Sequence, residues 1–255
     1  MQYIRGAGGG DKGGGNEPPT EAADSLQSVQ YATVLDLISE GEIQGLDDGH
    51  KSVYLDGTPV LDSGGNTNFS GYTVLTRQGT QAQISIDALD GSESEVAVGA
   101  QIVNATPVVR QITNSNTNRV RVTLRIPSFR KIEDDGDIVG QEVTIKIEVQ
   151  YNGGGYNLVK QDTIKGKSSN VYLRDYLFDL SGAFPVDIKF TRVSGDDAGS
   201  KEESQTWWAS YTEIVDEKLS YPNSALMYLR FDSRQFNNIP ARKYLIRGIK
   251  VKLPS

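Results

Sequence analysis

The sequence predicts an all-β protein with one or two short helices. Apolar and polar residues alternate strictly over residues 119–126 and again over 143–151, which is the period of strands with one wet face. Clusters rich in Gly, Asn, Asp and Ser separate these runs from further β-type runs. Hydrophobic residues make up 37% of the chain, enough for a core, but no apolar run approaches the roughly 20 residues of a transmembrane helix. Together these features predict a sandwich of two antiparallel sheets.

The first element in chain order is an arm, residues 1–24. Its glycine run and the following Asn-Glu-Pro-Pro offer nothing to bury, so the sequence predicts a flexible segment. It is not a phosphate-binding loop, because Lys12 is followed by more glycine and then by prolines instead of a helix. Two interpretations stay open: an arm that orders against a partner, and a plain disordered terminus.

The next elements are a helix and a hairpin. Apolar residues at i, i+3, i+4 and i+7 predict a short amphipathic helix that follows Ser28 and stops at Gly41; they are Tyr31, Val34, Leu35 and Ile38. Asp56 and Gly57 then interrupt a strand pattern with a dipeptide typical of a tight hairpin turn.

Strands dominate the rest of the chain. They are predicted at residues 72–77, 82–86, 119–126, 143–151, 156–164, 186–193, 207–215, 225–231 and 244–253. The glycine-rich stretch 152–155 predicts a hairpin between two of them. Residues 170–180 fit a helix or a strand, and we favour a strand.

The composition excludes several classes of enzyme and of metal site. The absence of cysteine rules out disulfide scaffolds, thiol catalysis, zinc ribbons and iron–sulfur ligation, and no cofactor or metal is expected. His50 follows Asp47, Asp48 and a glycine, so we interpret it as an exposed turn residue and not a general base. The acidic stretches 133–137 and 196–203 lack the spacing of a calcium loop and are expected to be solvated loops.

The net charge, a stripe of arginines and two tryptophans indicate what kinds of partner the chain can bind. The net charge of -7 argues against tight binding of duplex DNA, because such binding requires a basic face on the protein. Arg119, Arg121 and Arg125 form a stripe on one strand face, which is either a phosphate track or, more simply, a solvated outer face. Trp207 and Trp208 point to opposite faces of a strand, so one is expected in the core and the other available to a partner.

Seven segments resemble the amino-terminal hub region of the central tail-tip proteins of long-tailed bacteriophages (siphophages). They are residues 31–46 (YATVLDLISEGEIQGL), 49–60 (GHKSVYLDGTPV), 66–69 (NTNF), 164–167 (IKGK), 208–216 (WASYTEIVD), 221–226 (YPNSAL) and 245–248 (LIRG). Their order and spacing also resemble the family's, from about residue 20 to the carboxyl end. A set of this length is more specific than any single short motif.

The resemblance implies a non-enzymatic virion protein, assembled in the host cytoplasm, that forms a homotrimer closing the distal end of the tail tube. It implies a flexible arm (1–24), a discontinuous tail-hub domain (25–95 plus 215–255) and an inserted β-sandwich (96–214), with the turn at 221–223 as the return junction. The implied partners are distal tail and tail-tip proteins and the tape-measure protein. DNA would pass without specific binding. Family members continue beyond this point, so a host receptor would be met only through downstream regions absent here.

The flanking hub strands are few, and we expect their edges to be completed by neighbouring subunits or downstream domains. The residues we place in or beside this shared sheet, with apolar side chains alternating inward, are Val53, Leu55, Leu226, Tyr228, Leu229, Phe231, Leu245, Ile249 and Val251. The alternative is a carbohydrate-binding, adhesive β-sandwich with weak glycan-processing activity. Asp134 and Asp137 could in principle serve glycoside hydrolysis, but their polar loop offers no apolar pocket to raise a pKa.

Overall fold

The computed structural model describes residues 18–89, 91–104 and 106–249. Within these ranges the chain forms nineteen strands and two single-turn 3₁₀ helices, Gly49–Ser52 and Ser233–Gln235. The strands are β1 Tyr31–Glu40, β2 Ile43–Leu46, β3 Val53–Leu55, β4 Thr58–Pro59, β5 Thr73–Gln78, β6 Ser92–Ile102, β7 Val108–Ile112, β8 Arg119–Ile126, β9 Arg130–Ile132, β10 Ile138–Val139, β11 Gln141–Tyr151, β12 Asn157–Gly166, β13 Tyr172–Asp179, β14 Val186–Arg192, β15 Glu202–Glu203, β16 Thr206–Val215, β17 Ser224–Asp232, β18 Arg242–Tyr244 and β19 Ile246–Ile249. The predicted all-β class is confirmed.

Strands β6 to β16 build a β-sandwich. Its two antiparallel sheets run β12-β11-β14-β7 and β13-β8-β16-β6, and β9, β10 and β15 form a small third sheet. The apolar residues of β8 and β11 point inward and are buried, as their alternation predicts. Trp208 lies in this core with its ring centroid 5.6 Å from that of Phe190, so the prediction of one core tryptophan is confirmed.

Strands β1 to β5 pair with strands β17 to β19, and we call this second body the split unit. Its main sheet has the order β1-β17-β5, beside two smaller sheets, β18-β3-β4 and β19-β2. The central strand β17 is covered on both faces. Met227, Leu229 and Phe231 belong to one apolar cluster, whereas Leu226 and Tyr228 belong to another. The apolar side chains of β17 therefore do not simply alternate inward, as the sequence analysis expects.

The predicted helix after Ser28 is wrong, because this segment is strand β1. Ala32, Val34 and Ile38 pack on one cluster of the split unit and Leu35 packs on the other. A strand that contributes apolar residues to both faces can imitate the i, i+3, i+4 spacing of a helix. The spacing alone could not distinguish the two structures.

Two other strand predictions need correction, and two strands of the four-stranded sheets have no counterpart in the predictions. Residues 82–86 form no strand; instead, the Arg77 guanidinium donates hydrogen bonds to the carbonyls of Ile84 and Ser85. The predicted strand 244–253 is represented by β18 and β19, and residues 250–253 lie outside the described residues. Strands β6 and β7 were not predicted, because their exposed polar residues hide the alternation.

The ambiguous segment 170–180 is a strand, as favoured, and both hairpins are confirmed. Asp56 and Gly57 have φ values of 47° and 81°, and Asn152 and Gly153 have φ values of 46° and 73°. This pair of left-handed conformations is what a tight hairpin turn requires and what Asp-Gly and Asn-Gly readily adopt. Among the described residues, no helix is long and apolar enough to cross a bilayer.

Candidate assembly surface

Most of the predicted interface residues lie inside the split unit. Six of them are shielded from solvent by the chain's own strands: Val53, Leu55, Leu226, Tyr228, Leu229 and Phe231. Leu245, between β18 and β19, is 41% exposed. Ile249 ends β19, but its side chain, like all of Val251, lies outside the described residues. What these residues provide within one chain is a core, and their part in a shared sheet stays a prediction.

The strand edges of the split unit are more accessible than its core. Strands β1 and β5 each have β17 as their single strand partner among the described residues, so one edge of each remains unpaired. Strand β1 is ten residues long and exposes Tyr31 and Leu37. Unpaired edges of this length can pair with another chain.

An open cavity of about 360 Å³ lies between β1 and the strands β18 and β19. In it the Asp36 carboxylate accepts hydrogen bonds from Arg242 Nε at 2.7 Å, Arg242 Nη2 at 3.1 Å and the Tyr244 hydroxyl at 2.5 Å. The Arg242 guanidinium and the Tyr244 hydroxyl hold the pKa of Asp36 below its usual value, against the effect of burial. Burial raises the pKa of Tyr244, and the hydrogen bond to the Asp36 carboxylate raises it further. This cluster joins the first strand of the chain to one of its last.

Residues 18–30, which we call the strap, run over the sandwich before β1 begins. The Ala22 amide donates to the Ile138 carbonyl, and the Ser25 and Leu26 amides donate to the Lys167 carbonyl. Leu26 packs against the sandwich core. Gly166, at φ +145°, permits this close approach, since a Cβ there would lie 2.9 Å from Leu26 Cγ.

Lys167 fastens the strap. Its side chain is 4% exposed, and its Nζ lies 2.7 Å from both Glu21 Oε1 and Asp24 Oδ1. The pKa values of both carboxyls are lowered, first by their hydrogen bonds to Lys167, and the pKa of Lys167 is raised in turn. A nearly buried ammonium needs such partners, because an unpaired buried charge is costly.

The strap continues to the split unit. The Leu173 amide donates to the Ser28 hydroxyl at 2.7 Å, and the Ser233 amide and hydroxyl donate to the Gln30 carbonyl. The strap therefore contacts both bodies of the chain. The predicted flexible arm, residues 1–24, is thus bound to the sandwich over residues 18–24, and residues 1–17 lie outside the described residues. Sequence reasoning could not find these contacts or the Asp36 cluster, because their partners are more than 100 residues apart along the chain.

The sequence-predicted chemical groups are scattered. His50 lies in a 3₁₀ helix and is partly buried, with its ring in a T-shaped arrangement to that of Tyr72. The prediction that His50 is an exposed turn residue is therefore wrong. The tip at 133–137 is a hairpin turn between β9 and β10, and Lys201 of the other acidic loop donates to Asp134 at 2.7 Å. No group of three or more potential metal ligands is found among the described residues.

Comparison with known proteins identifies relatives of nearly the whole chain. The tip attachment protein J of Escherichia phage SECphi4 is 35% identical over 96% of this chain, and that of Escherichia phage SECphi27 is 36% identical over 89%. The chain spans only about a fifth of the length of these proteins, 22% and 19%. One solved structure, a family GH115 4-O-methyl-α-glucuronidase, aligns with this chain at 12% identity and a TM-score of 0.30. The alignment covers 54% of this chain and 18% of the glucuronidase chain.

A family model, the FNIII-A domain of tip attachment protein J, matches residues 92–217. Strands β6 to β16 all lie within this match. The resemblance noted in the sequence is thereby confirmed. Over 96% of its length the chain is thus similar to a phage tip attachment protein J, and residues 92–217 match the FNIII-A domain of that protein family.

Proposed function

We propose that the chain is a structural subunit of the tail tip of a long-tailed bacteriophage. In this role it forms a homotrimer that closes the distal end of the tail tube, links the tube to receptor-binding parts and opens for genome ejection. The family match supports the tail-tip location. The observation that carries the assembly role is the split unit, whose three-stranded main sheet leaves one edge of β1 and one edge of β5 unpaired among the described residues.

The partners in this proposal are two further copies, the distal tail and tail-tip proteins, and the tape-measure protein. A host receptor would be met through regions outside this chain. Three copies would carry a net charge of about -21, three times the -7 of one chain. A tube lined by them would repel DNA and let it pass without specific binding.

Native mass measurement of the purified full chain tests the assembly, and a structure of the assembled tail tip tests the location. We expect three copies in a ring around the tail axis. A chain that is monomeric in solution and lies as a single copy on the outer surface of the tail would contradict the proposal.

A further inference from the structure

The outer face of β8 carries a series of matched side-chain pairs. The Arg119 guanidinium donates to Asp216 at 2.9 Å, that of Arg121 donates to Glu93 at 2.8 Å, and the Thr123 hydroxyl donates to Asp175 at 2.8 Å. These pairs explain most of the basic stripe. Three of the four outward-facing side chains of β8 therefore have a hydrogen-bond partner within the chain.

The fourth outward position, Arg125, breaks the series. Arg125 has no hydrogen bond, ion pair or ring contact within the part of the chain that the structure describes. Strand register places Leu173 directly beside it on β13 and Trp207 on β16. The Trp207 indole is partly buried, and its Nε1–H has no acceptor. The Trp207 Nε1 is itself shielded from solvent, so its missing acceptor is an internal feature of the fold, whereas the Arg125 side chain is partly exposed and accessible to a partner.

Exposed apolar side chains lie on the β13 side of Arg125, whereas Gln101 of β6 lies beside Trp207 and Asp175 lies between the two leucines of β13. Leu173 is 44% exposed, and Leu177, two positions further along the same face of β13, is 51% exposed. Val29 of the strap is also exposed, next to Ser28, which accepts from the Leu173 amide. We call Arg125, Trp207, Leu173, Leu177 and Val29 the Arg125 patch. An exposed apolar group of this kind is typical of an interaction site.

The outer face of the opposite sheet provides a contrast. There Glu148 pairs with Lys146 at 3.2 Å and with Lys189 at 2.8 Å, and the Lys189 ammonium also lies 3.8 Å from the ring centroid of Tyr156. Its central charges are thus neutralised within the chain. Away from this centre the buried Thr191 hydroxyl on β14 has no hydrogen-bond partner, so among the described residues the two outer faces differ in their central charges and not in complete satisfaction of their polar groups.

We propose that the Arg125 patch docks a segment of another tail protein that presents an Asp or Glu carboxylate between apolar side chains. A guanidinium has donors only and binds carboxylates in a planar, two-toothed geometry, so a carboxylate is its complement. Arg and Trp are among the residue types that most often dominate binding energy at protein interfaces. This inference rests on the tail-tip role proposed above.

The test uses virions that carry the full-length protein with Arg125→Glu. The matched control is Lys160→Glu on β12, an exposed lysine at the other side of the sandwich that undergoes the same change of charge. A second pair is Leu173→Ser against Leu158→Ser, since Leu158 is 59% exposed on β12. We expect Arg125→Glu and Leu173→Ser to lower the amount of complete tails at least about tenfold, and the controls to leave it near wild type. Thermal unfolding of each purified variant near the wild-type temperature shows that folding is intact.

Selection of revertants from the Arg125→Glu phage then identifies the partner. We expect suppressors that replace Asp or Glu by Lys or Arg in another tail protein. Normal tail numbers with Arg125→Glu, or suppressors confined to the core of this chain, would overturn the inference. Complete tails that fail only to adsorb to host cells would also overturn it, because the patch would then bind the host surface. Absence of the wild-type chain from purified tails would instead reject the tail-tip role itself.

Discussion

At the scale of single residues, long-range charge pairs hold the strap and the strand β18 in place. Asp36 joins β1 to β18 through Arg242 and Tyr244 across more than 200 positions of sequence. Lys167 holds the strap through Glu21 and Asp24. Charge-assisted hydrogen bonds of this kind are stronger than neutral ones when they are partly shielded from water. Both clusters therefore lend themselves to isosteric substitution.

Asp36→Asn should destabilise the split unit by about 1 to 3 kcal/mol, because Arg242 and Tyr244 lose a charged acceptor in a partly buried site. The measurement is the midpoint of chemical unfolding. Asp48→Asn is the control, since Asp48 is exposed and makes no side-chain capping bond. Equal stability of the two variants would show that the cluster contributes nothing.

The strap should loosen in acid. The folded-state pKa values of Glu21 and Asp24 are lowered from 4.5 and 3.8, so their contribution is complete above those values and is lost as pH falls through the depressed ones. Hydrogen exchange at the Ser25, Leu26 and Ser169 amides should accelerate in the Glu21→Gln/Asp24→Asn variant already at neutral pH. The control Glu40→Gln/Asp48→Asn, at two exposed carboxylates, should exchange like wild type. Unchanged protection in the strap variant would refute the role of Lys167.

At the scale of elements, β17 is the strand on which the split unit depends. It pairs with β1 on one side and β5 on the other, and it contributes to apolar clusters on both faces. The strands that precede the sandwich therefore have no main sheet without the strand that follows it. This topology predicts that damage to β17 affects the split unit as a whole.

Leu229→Ala should destabilise the split unit by about 2 to 5 kcal/mol, the range for deleting a buried leucine side chain. Leu229 is 1% exposed, whereas Leu37 on β1 is 63% exposed. Leu37→Ala is thus a control with the same chemistry and should change the free energy of unfolding by no more than about 0.5 kcal/mol. A similar cost for both variants would mean that β17 is not the centre of this core.

At the scale of the whole molecule, two bodies share one chain. The paired strands from β6 to β16 pair only with one another, and the strands before and after them form the split unit. The strap contacts both. Since the named strands of the sandwich need no partner strand from the split unit, the two bodies are expected to differ in their ability to fold alone.

Residues 92–217, expressed alone, should unfold in one cooperative transition, as a sandwich of ordinary domain size. The bounds keep β6 whole, whereas a start at residue 96 would remove its first four residues. Circular dichroism during thermal unfolding is the measurement, with the full chain for comparison. A gradual, non-cooperative loss of signal would argue against an inserted domain.

We also expect no hydrolysis of peptidoglycan, glycan or peptide substrates by the purified chain. Its single histidine lies in a T-shaped arrangement with Tyr72, and Asp134 is paired with Lys201 on an exposed loop, so neither group is placed as a general acid or base. Product analysis after long incubation is the assay. Turnover that His50→Ala abolishes would overturn this expectation.

The sequence by itself determined the all-β class, the central strands of the sandwich and both tight hairpins. These features depend on local information: a period of two in β8 and β11, and Asp-Gly or Asn-Gly at the turns. The family, too, could be recognised from short segments in order. In each case neighbouring residues suffice to specify the outcome.

Only the tertiary structure decided which faces are covered and which charges are paired. Strand β1 imitated a helix because clusters on both of its faces bury its apolar residues. The stripe of arginines looked uniform, yet strand register gave acidic partners to Arg119 and Arg121 and placed Arg125 between a leucine and a tryptophan. Pairing between distant strands depends on topology and register, and neither is encoded in the local pattern of the residues that are paired.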